Sequence, residues 1–325
     1  MVGESFDPSI QPWCRLKITG ERTGFTMVEL VVVVGVISAL IGITLVGVMA
    51  ARESSRKAQC QNNLRQMGLS MIMIVDRKHR LPSLAAVEVP PKYPSSNPTI
   101  GNPFVAIAIE MSFPCVTVNG DVRCDNEDRG ESFPPSPFRC PSADQRLGYR
   151  LNCGSEPLYN LRRVTDTTRF YSGFRMRENL ISSISDGLSN TIMLSERFSH
   201  DGSKRFPQAI AIAESNNAEV ARSDCADSIR QQLVSETVGR WSSFQVYECG
   251  YTHHKPPNDH EFDCVAAIGG MPQTTLMLFI SSRSNHSGGV FSAFLDGSVR
   301  WIDSKIDLPI WRALGTHSGN EVILN

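Results

Sequence analysis

Between Gly24 and Arg52 the chain reads G-F-T-M-V-E-L-V-V-V-V-G-V-I-S-A-L-I-G-I-T-L-V-G-V-M-A-A-R. From Phe25 to Ala51 this run is almost wholly apolar, and Glu29 is its one charged residue. It exceeds the roughly 18 apolar residues that mark a membrane-helix candidate. The many Val and Ile residues favour a strand in water, but an open strand in a bilayer leaves its backbone polar groups unpaired. The stretch is therefore read as a helix. Glu29 is the anomaly: a carboxylate at membrane depth is costly and calls for a partner or a task.

The order G-F-T-M-V-E-L puts Glu29 at the fifth position after a Gly24-Phe25 junction. This pattern resembles the processing site of bacterial type IV pilins and of the pseudopilins of type II secretion. The resemblance implies that a prepilin peptidase/methyltransferase cuts after Gly24 and methylates the new amino-terminal Phe25. It also implies that Glu29 pairs with the free amine of a neighbouring pilin-like subunit. Two plainer readings compete. A secretory signal cut near Val48-Met49-Ala50 has an apolar region of only about 7–15 residues and carries no carboxylate. A plain anchor leaves Glu29 unexplained and makes the Gly24-Phe25 junction a coincidence.

Outward from this run, residues 1–24 contain Pro8, Pro12, Arg15, Lys17 and Arg22 without apolar periodicity and read as a cytoplasmic leader. Beyond it the helix is expected to continue to about Arg80, with its membrane part over 25–51. Ala58, Leu64, Met67, Met71, Ile74 and Val75 recur at helical spacing and form a stripe for a globular domain to cover. Gly68 weakens that helix by about 0.8–1 kcal/mol relative to Ala, and Pro82 stops it. Residues 81–325 form the extracytoplasmic domain. Within it 81–103 is a Pro- and Ser-rich loop, and Phe104 to Met111 is either a strand or a buried helical turn.

At 325 residues and a formal charge of −1, with Lys and Arg scattered, the chain shows no nucleic-acid footprint. Its nine cysteines suit an oxidising compartment, and Cys14 falls in the leader.

Near the carboxyl end, V-F-S-A-F-L and S-V-R-W-I flank Asp296-Gly297, the signal of a two-residue hairpin turn. That turn pairs Phe294 with Val299 and Ser292 with Trp301. It puts Phe294, Val299 and Trp301 on one face and Phe291, Leu295 and Ile302 on the other. Asp307-Leu308-Pro309 starts a short helix that Gly315 ends.

The segment N-H-S-G-G-V-F-S-A-F-L-D-G-S-V-R-W-I, with I-D-L-P-I-W-R-A-L-G-T after it, resembles the H-X9-DG region of a large bacterial family of unknown function. Members of that family also begin with a prepilin-type leader. A-R-E-S-S-R-K-A-Q-C-Q-N-N-L-R-Q-M-G, F-R-C-P-S-A-D and I-S-D-G-L-S-N-T-I-M-L-S-E carry the same resemblance. The segment M-I-M-I-V-D-R-K-H-R departs from it, being less polar than the family's usual one. The region spans 284–325. Cys60 and Cys140 occupy motif positions, and the resemblance implies that they form a disulfide. Cys115–Cys124 and Cys249–Cys264 are candidate local bridges, leaving Cys153 and Cys225.

His286 and Asp296 give the motif its name. They read either as a metal or catalytic pair or as structural residues, with Asp296 and Gly297 forming the turn; the structural reading is preferred. Cys249-x3-His253-His254 and His260-x3-Cys264 have a spacing zinc accepts, but export favours a disulfide there. The acidic stretch Asp121 to Asp128 lacks the spacing of a calcium loop. Ser195, Glu196 and His200 lie close in sequence with nothing to orient them as a catalytic set. Glycine-rich phosphate loops and the common hydrolase motifs are absent, so no enzyme activity, cofactor or metal is expected.

The expected fold is α+β and pilin-like: a long amino-terminal membrane-spanning helix packed on a mainly antiparallel β domain. The expected role is a structural or accessory subunit of a type II secretion or type IV pilus-like system. Its place is the bacterial inner membrane, single-pass, with the globular domain outside the cytoplasm. The rival is a membrane-tethered envelope module that binds polysaccharide or protein and uses the pilin-type leader only for delivery.

Overall fold

Helix α1 (Met27–Lys78) carries two kinds of surface in one element. The computed structural model describes residues 24–82, 103–113, 115–118, 121–124, 134–142, 148–156, 158–160, 179–197, 210–215, 220–230, 249–261, 263–268 and 275–319. The leader over 1–23, the acidic stretch after Cys124 and His200 lie outside these residues. The chain divides into two compact units, Met1–Ala51 and Arg52–Asn325, with the boundary inside α1.

In the first unit every large apolar side chain from Phe25 to Met49 is exposed. This part of α1 is long and apolar enough to cross a membrane.

In the second unit α1 buries Cys60, Asn63, Leu64, Met67, Gly68, Met71 and Ile74, a stripe at three- and four-residue spacing. Ala58, expected in the stripe, is exposed, so burial begins at Cys60. The helix ends at Lys78 because His79 takes a left-handed conformation (φ 55°). Arg80–Leu81 then leaves as strand β1, before Pro82 is reached. The apolar element after the loop is a helix, α2 (Pro103–Glu110). Its Phe104 meets Phe138 edge to face at 5.8 Å between ring centroids.

The further strands are β2 (Cys115–Val118), β3 (Asp121–Cys124), β4 (Tyr149–Asn152), β5 (Leu158–Asn160), β6 (Asn179–Leu180), β7 (Ile192–Glu196) and β8 (Ile210–Ser215). Helix α3 (Ala221–Arg230) follows, then β9 (Gly250–Tyr251), β10 (Asp263–Ile268), β11 (Thr275–Phe279), β12 (Gly289–Phe294), β13 (Val299–Asp303) and α4 (Leu308–Ala313). They form a five-stranded sheet in the order β13-β12-β7-β4-β9, a four-stranded sheet in the order β5-β11-β10-β8, and the pairs β1-β6 and β2-β3. Only β4–β9 and β8–β10 run parallel among these pairings, so the fold is α+β with mostly antiparallel strands.

Strands β7 and β12 lie inside the larger sheet and are buried along their whole length. That explains their near-continuous apolar runs, I-M-L and V-F-S-A-F, which do not alternate. Leu64, Met67 and Met71 of α1 share one core with Leu151, Met193, Leu194, Phe294 and Trp311.

The terminal hairpin differs from expectation by one residue. Phe291 pairs with Trp301, Ser292 with Arg300 and Ala293 with Val299. The turn is wider than two residues: Gly297 N–H donates to the Phe294 carbonyl at 2.9 Å, and Phe294 N–H donates to the Ser298 carbonyl at 2.9 Å. Gly297 takes a positive φ of 81° while Asp296 does not. This is a type I turn closed by a glycine bulge, the three-residue alternative to the type I′ hairpin. The shift puts Phe291 and Trp301 on the same face, in edge-to-face contact at 4.8 Å.

Candidate functional site

The H-X9-DG segment lies along α1 and touches it at both ends. At the first end His286 Nδ1 is 2.6 Å from Glu53 Oε1. At the other end a Cβ added to Gly68 would lie 3.7 Å from the Gly297 Cα, and one added to Gly297 would lie 2.6 Å from Ile72 Cδ1. Between them Lys57 Nζ sits 4.8 Å from the centre of the Trp301 ring. From Glu53 to Gly68 is about 22 Å of helix at 1.5 Å per residue. A six-residue strand of β12's length spans about 20 Å, so the two elements match.

At the His286 end a buried group assembles. Cys60 on α1 is bonded to Cys140, which follows the short 3-10 helix Ser136–Phe138. The ligand-type atoms of Cys60, Cys140, Glu196 and His286 all lie within 4.8 Å of one another. Cys140 Sγ is 3.9 Å from His286 Nε2 and 3.9 Å from Glu196 Oε1, and His286 Nε2 is 3.5 Å from Glu196 Oε1.

Each member is held by a named neighbour. Phe291 N–H donates to Glu196 Oε2 at 2.8 Å. His286 N–H donates to Ser284 Oγ at 2.9 Å. Asn63 donates to the Arg139 carbonyl at 2.8 Å, and Tyr149 O–H donates to the Cys60 carbonyl at 3.3 Å. Gly148 allows the chain to pass Cys140, because a Cβ there would fall 2.6 Å from the Cys140 nitrogen.

Burial pushes the Glu196 carboxyl up to about 8, although the Phe291 N–H pulls it down. Buried between Arg197 and Arg283, Asp263 behaves oppositely. Burial raises it, but the two guanidiniums outweigh burial and hold it below its ordinary value. Arg283 Nη2 is 3.1 Å from Asp263 Oδ1, and Arg197 also bonds to Asp263. Arg283 N–H donates to the Glu196 carbonyl at 2.9 Å. This ion cluster fixes the end of β7 against the segment that presents His286.

Asp296 does not join His286. It sits in the turn, exposed, with Oδ1 accepting the Ser298 N–H at 2.9 Å. His286 does more than brace its own loop, since its ring reaches α1 and Glu196. Neither Glu53 nor Glu196 has an expected role from the sequence, yet both face His286. The signal for Glu196 in the sequence is a carboxylate closing the otherwise uncharged run I-M-L-S-E, which is buried along its whole length.

The Cys249–Cys264 bridge is corrected. Cys264 is bonded to Cys225 on α3, which packs on β8 and β10. Cys249 is buried immediately before β9, a strand of the other sheet. Residues close in sequence were thus separated into two sheets. Cys153 is a buried thiol that burial pushes above its ordinary value. On the backbone, Cys115 stands opposite Cys124 in the β2–β3 register.

The histidines of this loop part company as well. His253 Nδ1 lies 2.7 Å from the Trp311 carbonyl, its Nε2 lies 2.9 Å from the Tyr251 hydroxyl, and its ring stacks on Trp311 at 3.9 Å. His254 Nδ1 lies 2.6 Å from Thr252 Oγ1, and His260 is exposed. Burial pushes both His253 and His254 down to about 3.

At the amino end of α1, Gly24 and Phe25 are exposed. Thr26 N–H and Thr26 Oγ1 both donate to Glu29 Oε2, at 3.0 and 2.7 Å. Glu29 N–H donates back to Thr26 Oγ1 at 3.3 Å. T-M-V-E is therefore a capping box, with Thr26 as the N-cap and Glu29 three residues on. The capping box is local, whereas the partner expected for Glu29 belongs to another subunit.

These features define a class: an α+β domain built on the second half of a helix whose first half exposes a membrane-length apolar surface. The chain belongs to the family SBP_bac_10, described as protein of unknown function (DUF1559), whose model matches residues 49–111 and 122–309. No curated protein and no solved structure matches the chain.

Proposed function

We propose that this chain is a prepilin-like, membrane-anchored structural or accessory subunit of a type II secretion or type IV pilus-like system, without catalytic activity of its own. The supporting observation is the change of surroundings along α1. Its residues from Phe25 to Met49 expose their apolar side chains, whereas the stripe from Cys60 to Ile74 is buried in protein. An exposed apolar surface of this length is tolerable only in lipid or against other such helices. On this reading Gly24-Phe25 is the processing junction, the anchor lies in the bacterial inner membrane, and the domain from Arg52 onward stands outside the cytoplasm. A prepilin peptidase/methyltransferase and other pilin-like subunits are its partners.

One observation favours the rival, a tethered envelope module for polysaccharide or protein. The capping box gives Glu29 a task within its own chain, so a neighbour's amine is not required to explain it. The two readings separate at Glu29→Gln. Gln still caps a helix, so a tethered module keeps its membrane level and binding. Assembly through a charge pair with a neighbour's amine fails, because the charge is gone. Amino-terminal mass spectrometry of the membrane-extracted protein should find N-methyl-Phe25. A mature chain beginning at Met1 or near Ala51 would remove the pilin-type reading altogether.

A further inference from the structure

We propose that Cys60, Cys140, Glu196 and His286 form a redox-gated zinc site: bonded to each other the cysteines exclude the metal, and as a dithiol they bind it with the other two residues.

Geometry carries the inference. Tetrahedral zinc takes Cys sulfur at about 2.3 Å and His nitrogen or carboxylate oxygen at about 2.0–2.2 Å, so neighbouring ligand atoms stand about 3.3–3.8 Å apart. In the bonded state His286 Nε2 to Glu196 Oε1 is already 3.5 Å, and Cys140 Sγ is 3.9 Å from each of them. Three edges of the tetrahedron thus stand within a few tenths of an ångström of the required lengths. Of the other three edges, Cys60 Sγ–Cys140 Sγ must open, and those from Cys60 Sγ to Glu196 and His286 lie within 4.8 Å.

The surroundings are those of a metal site. A metal-bound His donates its other ring N–H to a carboxylate, and a metal-bound carboxylate accepts hydrogen bonds on its remaining lone pairs. His286 Nδ1 faces Glu53 Oε1 at 2.6 Å and donates to it, while Nε2 stands 3.9 Å from Cys140 Sγ and 3.5 Å from Glu196 Oε1. The second oxygen of Glu196 accepts the Phe291 N–H. All four ligand residues are buried, whereas the Glu53 side chain is 37% exposed and marks the side open to solvent.

The chemistry balances in two steps. An external dithiol gives two electrons and two protons to the Cys60–Cys140 bond, becoming a disulfide itself and leaving two thiols. Zinc then displaces both thiol protons, and any proton on Glu196, to solvent, and His286 contributes its neutral Nε2. Reoxidation reverses both steps and expels the metal.

The test uses the full-length chain in detergent, reduced anaerobically with a phosphine that is then removed, and titrated with Co2+ as a spectroscopic stand-in for zinc. The reduced chain should take up one Co2+ with a thiolate-to-cobalt charge-transfer band and tetrahedral visible bands, and the unreduced chain should show neither. Glu53→Gln should keep the spectrum while weakening affinity by about 10–100-fold. His286→Ala should lose the tetrahedral bands, and Cys140→Ser the stoichiometric site. Circular dichroism identifies which variants are folded, and Glu53→Gln alone suffices if the others are not. No uptake by the reduced chain overturns the site. So does uptake that Cys140→Ser or Glu53→Gln leaves unchanged, which would place the metal on other thiols.

Discussion

Gly68 of α1 and Gly297 of the β12–β13 turn are set against each other: a Cβ on Gly68 would lie 3.7 Å from the Gly297 Cα. Together with the 2.6 Å contact between His286 and Glu53, this pairing assigns a physical meaning to both ends of H-X9-DG. The His reaches the helix through a hydrogen bond, and the Gly lets the turn approach it closely. The Asp side chain between them serves the turn, accepting the Ser298 N–H at 2.9 Å.

The two glycines should respond differently to alanine. Gly297→Ala places a Cβ at a φ of 81° and 2.6 Å from Ile72 Cδ1. It should cost about 1–3 kcal/mol even if Ile72 moves aside. At Gly68 the added Cβ would meet Met193 Cε at 3.6 Å, an ordinary contact, so Gly68→Ala should be neutral or stabilising by up to about 1 kcal/mol. Asp296→Asn should match the parent, because an Asn oxygen can accept the Ser298 N–H in the same way. Thermal unfolding of the three variants decides. An unaffected Gly297→Ala protein would mean that the turn does not pack on α1 as described.

Disulfide mapping should recover Cys60–Cys140 and Cys225–Cys264, which close sequence separations of 80 and 39 residues. Cys225→Ser should destabilise by about 2–4 kcal/mol through the looser unfolded chain. Non-reducing peptide mapping that joined Cys249 to Cys264 would contradict the separation of these residues into two sheets.

Much of this architecture was legible from patterns that are local. The apolar run, the stripe from Leu64 to Ile74, the Asp-Gly turn and the helix at Leu308–Ala313 each follow from spacing within a few residues. What was not legible depends on which distant strands become neighbours. Cys225 finds Cys264 because β8 and β10 pair in parallel around α3. Glu196 finds His286 because β7 and β12 pair across the middle of the sheet. The one-residue error in the hairpin has a local cause, since Asp-Gly serves both the two-residue type I′ turn and the three-residue turn with a glycine bulge. The pairing of Phe291 with Trp301 and the positive φ confined to Gly297 identify the three-residue turn.

Burial sets opposed titrations in this core, and they give the stability a maximum. His253 and His254 are pushed from 6.5 down to about 3, so both are neutral in the folded chain through mildly acidic pH. Their contribution is fully present above pH 6.5 and is lost as pH falls towards 3, because the unfolded chain binds protons that the folded one refuses. Glu196 is pushed from 4.5 up to about 8. Its contribution is fully present below 4.5 and is lost as pH rises through 8. Each group changes stability by about 1.4 kcal/mol per pH unit inside its window. Between 4.5 and 6.5 the two histidines outweigh the glutamate, and stability should rise by about 1.4 kcal/mol per unit. Above 6.5 the glutamate acts alone, and stability should fall until about pH 8. Glu196→Gln should abolish the alkaline fall and steepen the acid rise to about 2.8 kcal/mol per unit. Denaturant unfolding of parent and variant across pH 4.5–8 checks this, and parallel curves for the two proteins would show that Glu196 does not keep its proton in the fold.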